Sequence, residues 1–136
     1  MDTSKLHIVA ATGFLKKDGK FLILKRGEKE IAYPGKWTVP GGKVEGSDSI
    51  KETLKKEFLE EAGLAIKNNI EFFGESEFTR PDGFHVIVLK FICEYESGKV
   101  KIDKNDFTDY VWMSLDELEN YDLIEGVKND FKLIKI

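Results

Sequence analysis

Residues 42–64 read GKVEGSDSIKETLKKEFLEEAGL, and the folding of this stretch decides how the rest of the chain is read. Ser49 with Glu52 three residues on is a capping box, and Gly63 stands where a helix would stop, so the spacing predicts a helix between them. At about 100° per residue, Ile50, Leu54 and Phe58 form one apolar stripe. With Ile50 at zero, Glu57 falls near roughly 340° and Glu61 near roughly 20°, on or beside that stripe, while Glu60 flanks Glu57 at about 280°. Lys51, Glu52, Lys55 and Lys56 take the solvated side, and Leu59 points the same way, where a partner contact is the one account of it. Glutamates on a helix ordinarily face water. Clustered carboxylates repel one another, and removing them from water is costly unless a cation compensates. A hard divalent ion such as Mg²⁺ prefers oxygen ligands and relieves both problems.

Upstream of the helix lies GEKEIAYPGKWTVPGGKVEGSDS, with five glycines and two of the three prolines. It reads as a long loop holding at most a short strand near WTV, and loops of this length in compact domains are often functional. Glycines in VPGG let backbone approach a ligand closely. Lys36 and Lys43 flank that turn. Glycines, lysines and clustered carboxylates together point to a metal-bridged phosphate compound.

Farther out, LHIVAATGFL and KFLILKR are β-rich runs around Asp18-Gly19, a strong hairpin signal. IEFFGESEF and HVIVLKFICEY flank a second turn, RPDG, and DFTDYVWM reads as another strand. SLDELENY opens with a capping box, Ser114 and Glu117, and LIEGVKNDFKLIKI reads as a final helix despite Gly126. The pattern is α+β, and the 136 residues suit one domain. A net charge of −4 argues against a dedicated nucleic-acid partner and means that local cations must hold any polyanionic substrate. Cys93, the one cysteine, lies in an apolar run and reads as a core residue. No secretory signal and no apolar run of about 20 residues is evident, so a cytoplasmic protein without a membrane span is expected.

The same 23 residues resemble the signature of the Nudix hydrolases: Gly, five residues, Glu, seven residues, then Arg-Glu-U-x-Glu-Glu-x-Gly-U, where U is a bulky aliphatic. The spacing is kept throughout, and Gly42, Glu57, Glu60, Glu61, Gly63 and Leu64 match. Asp48 replaces Glu, Lys56 replaces Arg and Phe58 replaces the aliphatic. KWTVPGG and YVWMSLDEL also look like family segments.

The resemblance implies an α/β/α sandwich with a mixed sheet. It also implies hydrolysis of a nucleoside diphosphate linked to another group, with Mg²⁺ or Mn²⁺. Carried over by position, Glu57, Glu60 and Glu61 would be metal ligands, joined by the carbonyl of Gly41. Lys56 would orient or charge-balance Glu57, and Asp48 would brace the loop. A further acid is expected before Trp112, with Asp106 favoured over Asp103 and Asp109. Glu57 or Glu60 would take the proton of the attacking water. Lysine cannot make arginine's two-pronged contact with a carboxylate, so the departures bear on rate. They also motivate an alternative, a Nudix-fold module that binds nucleotides without cleaving them.

Among the remaining residues, Lys25, Arg26, Lys36 and Lys43 are candidates for phosphate contacts, and Trp37 and Phe84 for stacking on a base. His7 and His85 lie in strand-like apolar contexts and read as structural. Pro81 stands where ADP-ribose-cleaving relatives often carry a proline, although a hairpin turn accounts for PDG. The expected partner is a small nucleotide, and the expected state a monomer or homodimer.

Overall fold

The computed structural model describes residues 2–134. Strands β1 (Ile8–Lys17) and β2 (Lys20–Arg26) form the expected hairpin, with Asp18 and Gly19 both at positive φ as a tight two-residue turn requires. The two strands pair only at Lys16–Phe21 and Lys17–Lys20 and then diverge. Two short strands occupy the fork: β3 (Trp37–Thr38) adds to β2, and β4 (Gly41–Lys43) adds to β1. The sequence suggested only the first of these; the two glycines of β4 disguised a strand as a turn.

Helix α1 (Ile50–Ala62) follows, capped by Ser49 and ended by Gly63 in the left-handed region. Then come β5 (Ala65–Ile66), β6 (Glu71–Thr79), β7 (His85–Ser97), β8 (Phe107–Met113), a 3-10 turn at Leu115–Asn120 and α2 (Glu125–Leu133). The short helix expected from SLDELENY is that 3-10 turn. The final helix stops at Leu133, and residues 135 and 136 lie outside the described ones.

β1 runs parallel to β7 from Ile8–Val86 to Lys16–Glu94, and the other pairings are antiparallel, so the eight-stranded sheet is mixed. Alternation along the strands divides the core in two. Ala11, Leu15, Leu22, Leu24 and Cys93 lie under Leu54, Phe58 and Ala62 of α1. Phe14, Phe21, Ile23 and Met113 face the other way, toward Phe131 and Ile134 at the α2 end of the chain. This is the expected α/β/α sandwich. Burial pushes the Cys93 thiol up to about 12, which leaves it a core residue.

One contact sets how α1 sits. A Cβ on Gly13 would lie 2.4 Å from the Phe58 ring, so glycine in β1 lets that ring press onto the strand. The aromatic residue at the position where the family carries an aliphatic is thereby accommodated. Among the described residues, no helix is long and apolar enough to cross a membrane.

Candidate active site

Docking of α1 through Phe58 brings its glutamates against β4. A Cβ on Gly42 would come within 2.4 Å of the Glu57 carboxyl carbon, so any other residue here would push that carboxylate aside. One turn on, the Gly41 N–H donates to Glu61 Oε1 at 3.1 Å. Gly13 N–H donates to the Pro40 carbonyl and Val44 N–H to that of Val9, which makes Thr12–Gly41 a non-hydrogen-bonded pair in the β1–β4 ladder. Both backbone groups of Gly41 therefore point away from β1, into the fork, and its carbonyl is free to act as a ligand.

The segment before β8 closes the other side. Asp103 N–H donates to the Glu61 carbonyl at 3.0 Å, and Gly27 N–H donates to the Asp106 carbonyl at 2.9 Å. Burial pushes Glu61 up to about 8, against the pull of the Gly41 N–H, and the charges of Glu57, Asp106 and Asp103 add to the rise. Glu57 is also raised, first by burial and then by Glu60, with Lys56 opposing and Glu45 adding. Asp103 and Asp106 thus both reach Glu61. Asp109 stands opposite Lys25, accepts from the Tyr110 N–H and is not among the charges acting on Glu61.

Oxygen donors around a half-buried carboxylate that lacks a cationic partner fit a hard divalent ion. Among the described residues, no three His, Cys, Asp or Glu side chains are already gathered as a metal cage. The acids are spread along α1 and the approach to β8 instead. Such spacing suits an ion that keeps several waters and completes its shell with substrate phosphate oxygens, as Mg²⁺ usually does.

The other expected residues divide. Lys43 is exposed on β4 beside Gly42. Arg26 turns to its own loop, where Nε donates to the Ala32 carbonyl at 2.8 Å and the guanidinium lies 3.5 Å from Glu30. Lys36 pairs with Asp122 at 3.0 Å. Asp48 closes a backbone turn onto the Glu45 carbonyl. Trp37 is half-buried on the α2 side, edge-on to Tyr121 at 5.4 Å. Phe84 is exposed in the β6–β7 turn, two strands from β4 and below the Arg80 guanidinium. Pro81 sits in that same turn, which the Gly83 N–H closes onto the Arg80 carbonyl.

Sequence reasoning missed Glu45, whose charge reaches Glu57 from the connecting loop. Its position three residues past Gly42 was the available signal. It also missed that His7 and His85 meet edge-to-face at 5.3 Å, with His85 Nε2 on Glu77 at 2.7 Å.

The NUDIX domain model matches residues 5–135. The chain belongs to the Nudix hydrolase family. It is 30% identical over 128 residues to the nucleoside triphosphatase NudI of Escherichia coli, covering 88% of this chain and 90% of that one. Among solved structures, the MutT protein of Methanosarcina mazei Go1 is 28% identical with a TM-score of 0.76, covering 95% of this chain and 93% of the other. The MutT Nudix hydrolase of Burkholderia pseudomallei shares the fold at a TM-score of 0.79 and 20% identity, covering 96% of this chain and all of the other. This Nudix protein is accordingly a pyrophosphohydrolase that cleaves nucleotide phosphoanhydrides. Divalent cations are the general cofactors of such enzymes.

Proposed function

We propose that this Nudix hydrolase, a single domain spanning the chain, cleaves a nucleoside diphosphate linked to another group, a nucleoside triphosphate or a nucleotide sugar, with Mg²⁺ or Mn²⁺. Glu57, Glu60 and Glu61 hold the ion, with the Gly41 carbonyl and Asp106 completing the protein's share. The observation that carries this reading is Glu61, a carboxylate pushed up to about 8 among other acids. When bound, the divalent ion supplies an acidified water and a clamp on the phosphate oxygens.

The chain's own groups do the rest. Glu57 or Glu60 accepts the proton of the attacking water, and the half-burial of Glu57 favours it as a base that must not be fully solvated. Lys56 sets the charge balance of Glu57 from the exposed side of α1. Lys43 offers an ammonium to the substrate phosphates. Arg26 and Lys36 shape the loop leading into β3 and position the site through it. The name of the relative NudI supports nucleoside triphosphates as the first substrates to try.

The test is release of phosphate and pyrophosphate from nucleoside triphosphates, ADP-ribose, nucleotide sugars and dinucleoside polyphosphates, with Mg²⁺ and then Mn²⁺. Metal-dependent turnover that disappears in Glu57→Gln, with the circular dichroism spectrum unchanged, is the expected result. Wild-type turnover in excess EDTA would overturn the metal assignment, and full activity in Glu57→Gln would overturn that residue's role.

A further inference from the structure

β6 borders the sheet beside β7, and among the described residues its outer side pairs with no other strand. The Arg80 N–H donates to the Phe84 carbonyl, so ladder alternation makes Glu75–Leu89, Glu77–Ile87 and Thr79–His85 the pairs without mutual hydrogen bonds. The peptide N–H and carbonyl groups of Glu75, Glu77 and Thr79 therefore point outward from the sheet. Side chains alternate between the two faces of a strand. Glu75 and Glu77 share the face of Leu89, which packs toward α1, and Phe78 takes the opposite face. Phe72 and Phe78 are 54% and 52% exposed at the two ends of the strand. In the hairpin, the Arg80 guanidinium pairs with Asp82, and His85 Nε2 meets Glu77 at 2.7 Å. Glu75 forms no ion pair among the described residues.

An open edge is a template for another strand, and charge on it keeps copies of the chain apart. Exposed aromatic rings do not serve that end, and here both stand on one strand. A second copy is the occupant that the charges disfavour: any antiparallel register engaging Glu75 and Glu77 together sets glutamate opposite glutamate. We propose that β6 takes up an extended segment of another protein, basic at every second residue and apolar between, as an added strand. Its backbone bonds to Glu75, Glu77 and Thr79. Its basic side chains lie opposite the two glutamates, and its apolar ones lie against Phe78. β7 and β1 separate β6 from β4, so the contact leaves the acid site open.

The probes are a peptide of about six residues, the length of an ordinary strand, alternating lysine and valine, and a twin alternating glutamate and valine. A third is the lysine–valine peptide methylated at every backbone nitrogen. By amide NMR the lysine–valine peptide should shift Glu75, Glu77 and Thr79 and slow the exchange of their amide hydrogens. The glutamate twin should bind about tenfold more weakly, two cross-strand pairs having turned from attraction to repulsion. The methylated peptide should leave those amides unmoved. Glu75→Lys combined with Glu77→Lys should reverse the order of the two charged peptides and leave turnover unchanged. Shifts confined to other elements, equal affinity for the two charged peptides, or equal binding of the methylated one would overturn the proposal. A wild-type dimer in sedimentation that Phe78→Lys dissolves would give the edge to a second copy and overturn it too.

Discussion

Two carboxylates withdrawn from water to different degrees, one on each side of the sheet, are treated in opposite ways. Asp130 of α2 lies against β7 with Lys90 Nζ at 2.5 Å, and both side chains are nearly inaccessible to water. Burial raises the Asp130 pKa, but the Lys90 hydrogen bond and charge pull it back. Glu61 on the α1 side receives one backbone N–H, and the neighbours whose charge it feels are all acids. Among the described residues no lysine, arginine or histidine forms an ion pair with it. Where the fold needs a carboxylate for structure it supplies the cation from its own chain. Where the cation is left out, the function proposed above gives the carboxylate a divalent ion from outside.

Replacing each acid by its amide is the sharpest way to break this comparison. Glu61→Gln should lower metal-dependent turnover by about 10²–10⁴-fold, comparable to the loss of a general base. The same change should leave the metal-free fold as stable or more so. Asp130→Asn should do the reverse: it strands the Lys90 ammonium and costs about 3–5 kcal/mol in urea unfolding, with little change in kcat. Equal destabilisation by the two amides would end the distinction. A double change, Lys90→Met with Asp130→Leu, should regain most of that loss, since buried ion pairs can often be replaced by apolar residues.

Gly42→Ala probes the placement of Glu57. Its methyl would meet the Glu57 carboxylate, and a shift of about 1 Å in a catalytic group costs on the order of 10²-fold in rate. Helix content should stay the same, so steady-state kinetics and circular dichroism together check it. Wild-type kcat would mean that Glu57 is not held where its role requires.

The smallest effect is on pH dependence. Glu61 rises from an ordinary 4.5 to about 8 in the folded chain, so the folded state keeps this proton when the unfolded chain has lost it. Between those values the unfolded state binds fewer protons, and the stability of the metal-free protein should fall as pH increases. Below about pH 4.5 the penalty vanishes. Thermal midpoints in EDTA at pH 5 and pH 8 should differ by a few degrees in the wild type and by less in Glu61→Gln. Saturating Mg²⁺ should narrow the wild-type gap.

Much of this was legible in the chain because it rests on local rules. The Ser49 capping box and Gly63 fixed α1, Asp18-Gly19 fixed the first hairpin, and the spacing of Ile50, Leu54 and Phe58 put Glu57 and Glu61 on the inner side. β4 was not legible, since a strand made of Gly41, Gly42 and Lys43 has no β propensity and exists only because β1 and β2 diverge and leave an edge to fill. Lys90 stands within the apolar strand HVIVLKFICEY, and nothing local named Asp130, forty residues on, as its partner.

The sequence by itself determined the helix, its inward glutamates and the glycines before them, because caps, turns and periodicity act within a few residues. Tertiary structure alone decided which acids share a field. Asp103 and Asp106 reach Glu61 while Asp109 does not, because the approach to β8 folds back onto the end of α1. Electrostatic interaction depends on distance through space, and along the chain position favoured Asp106 but could not tell Asp103 from Asp109.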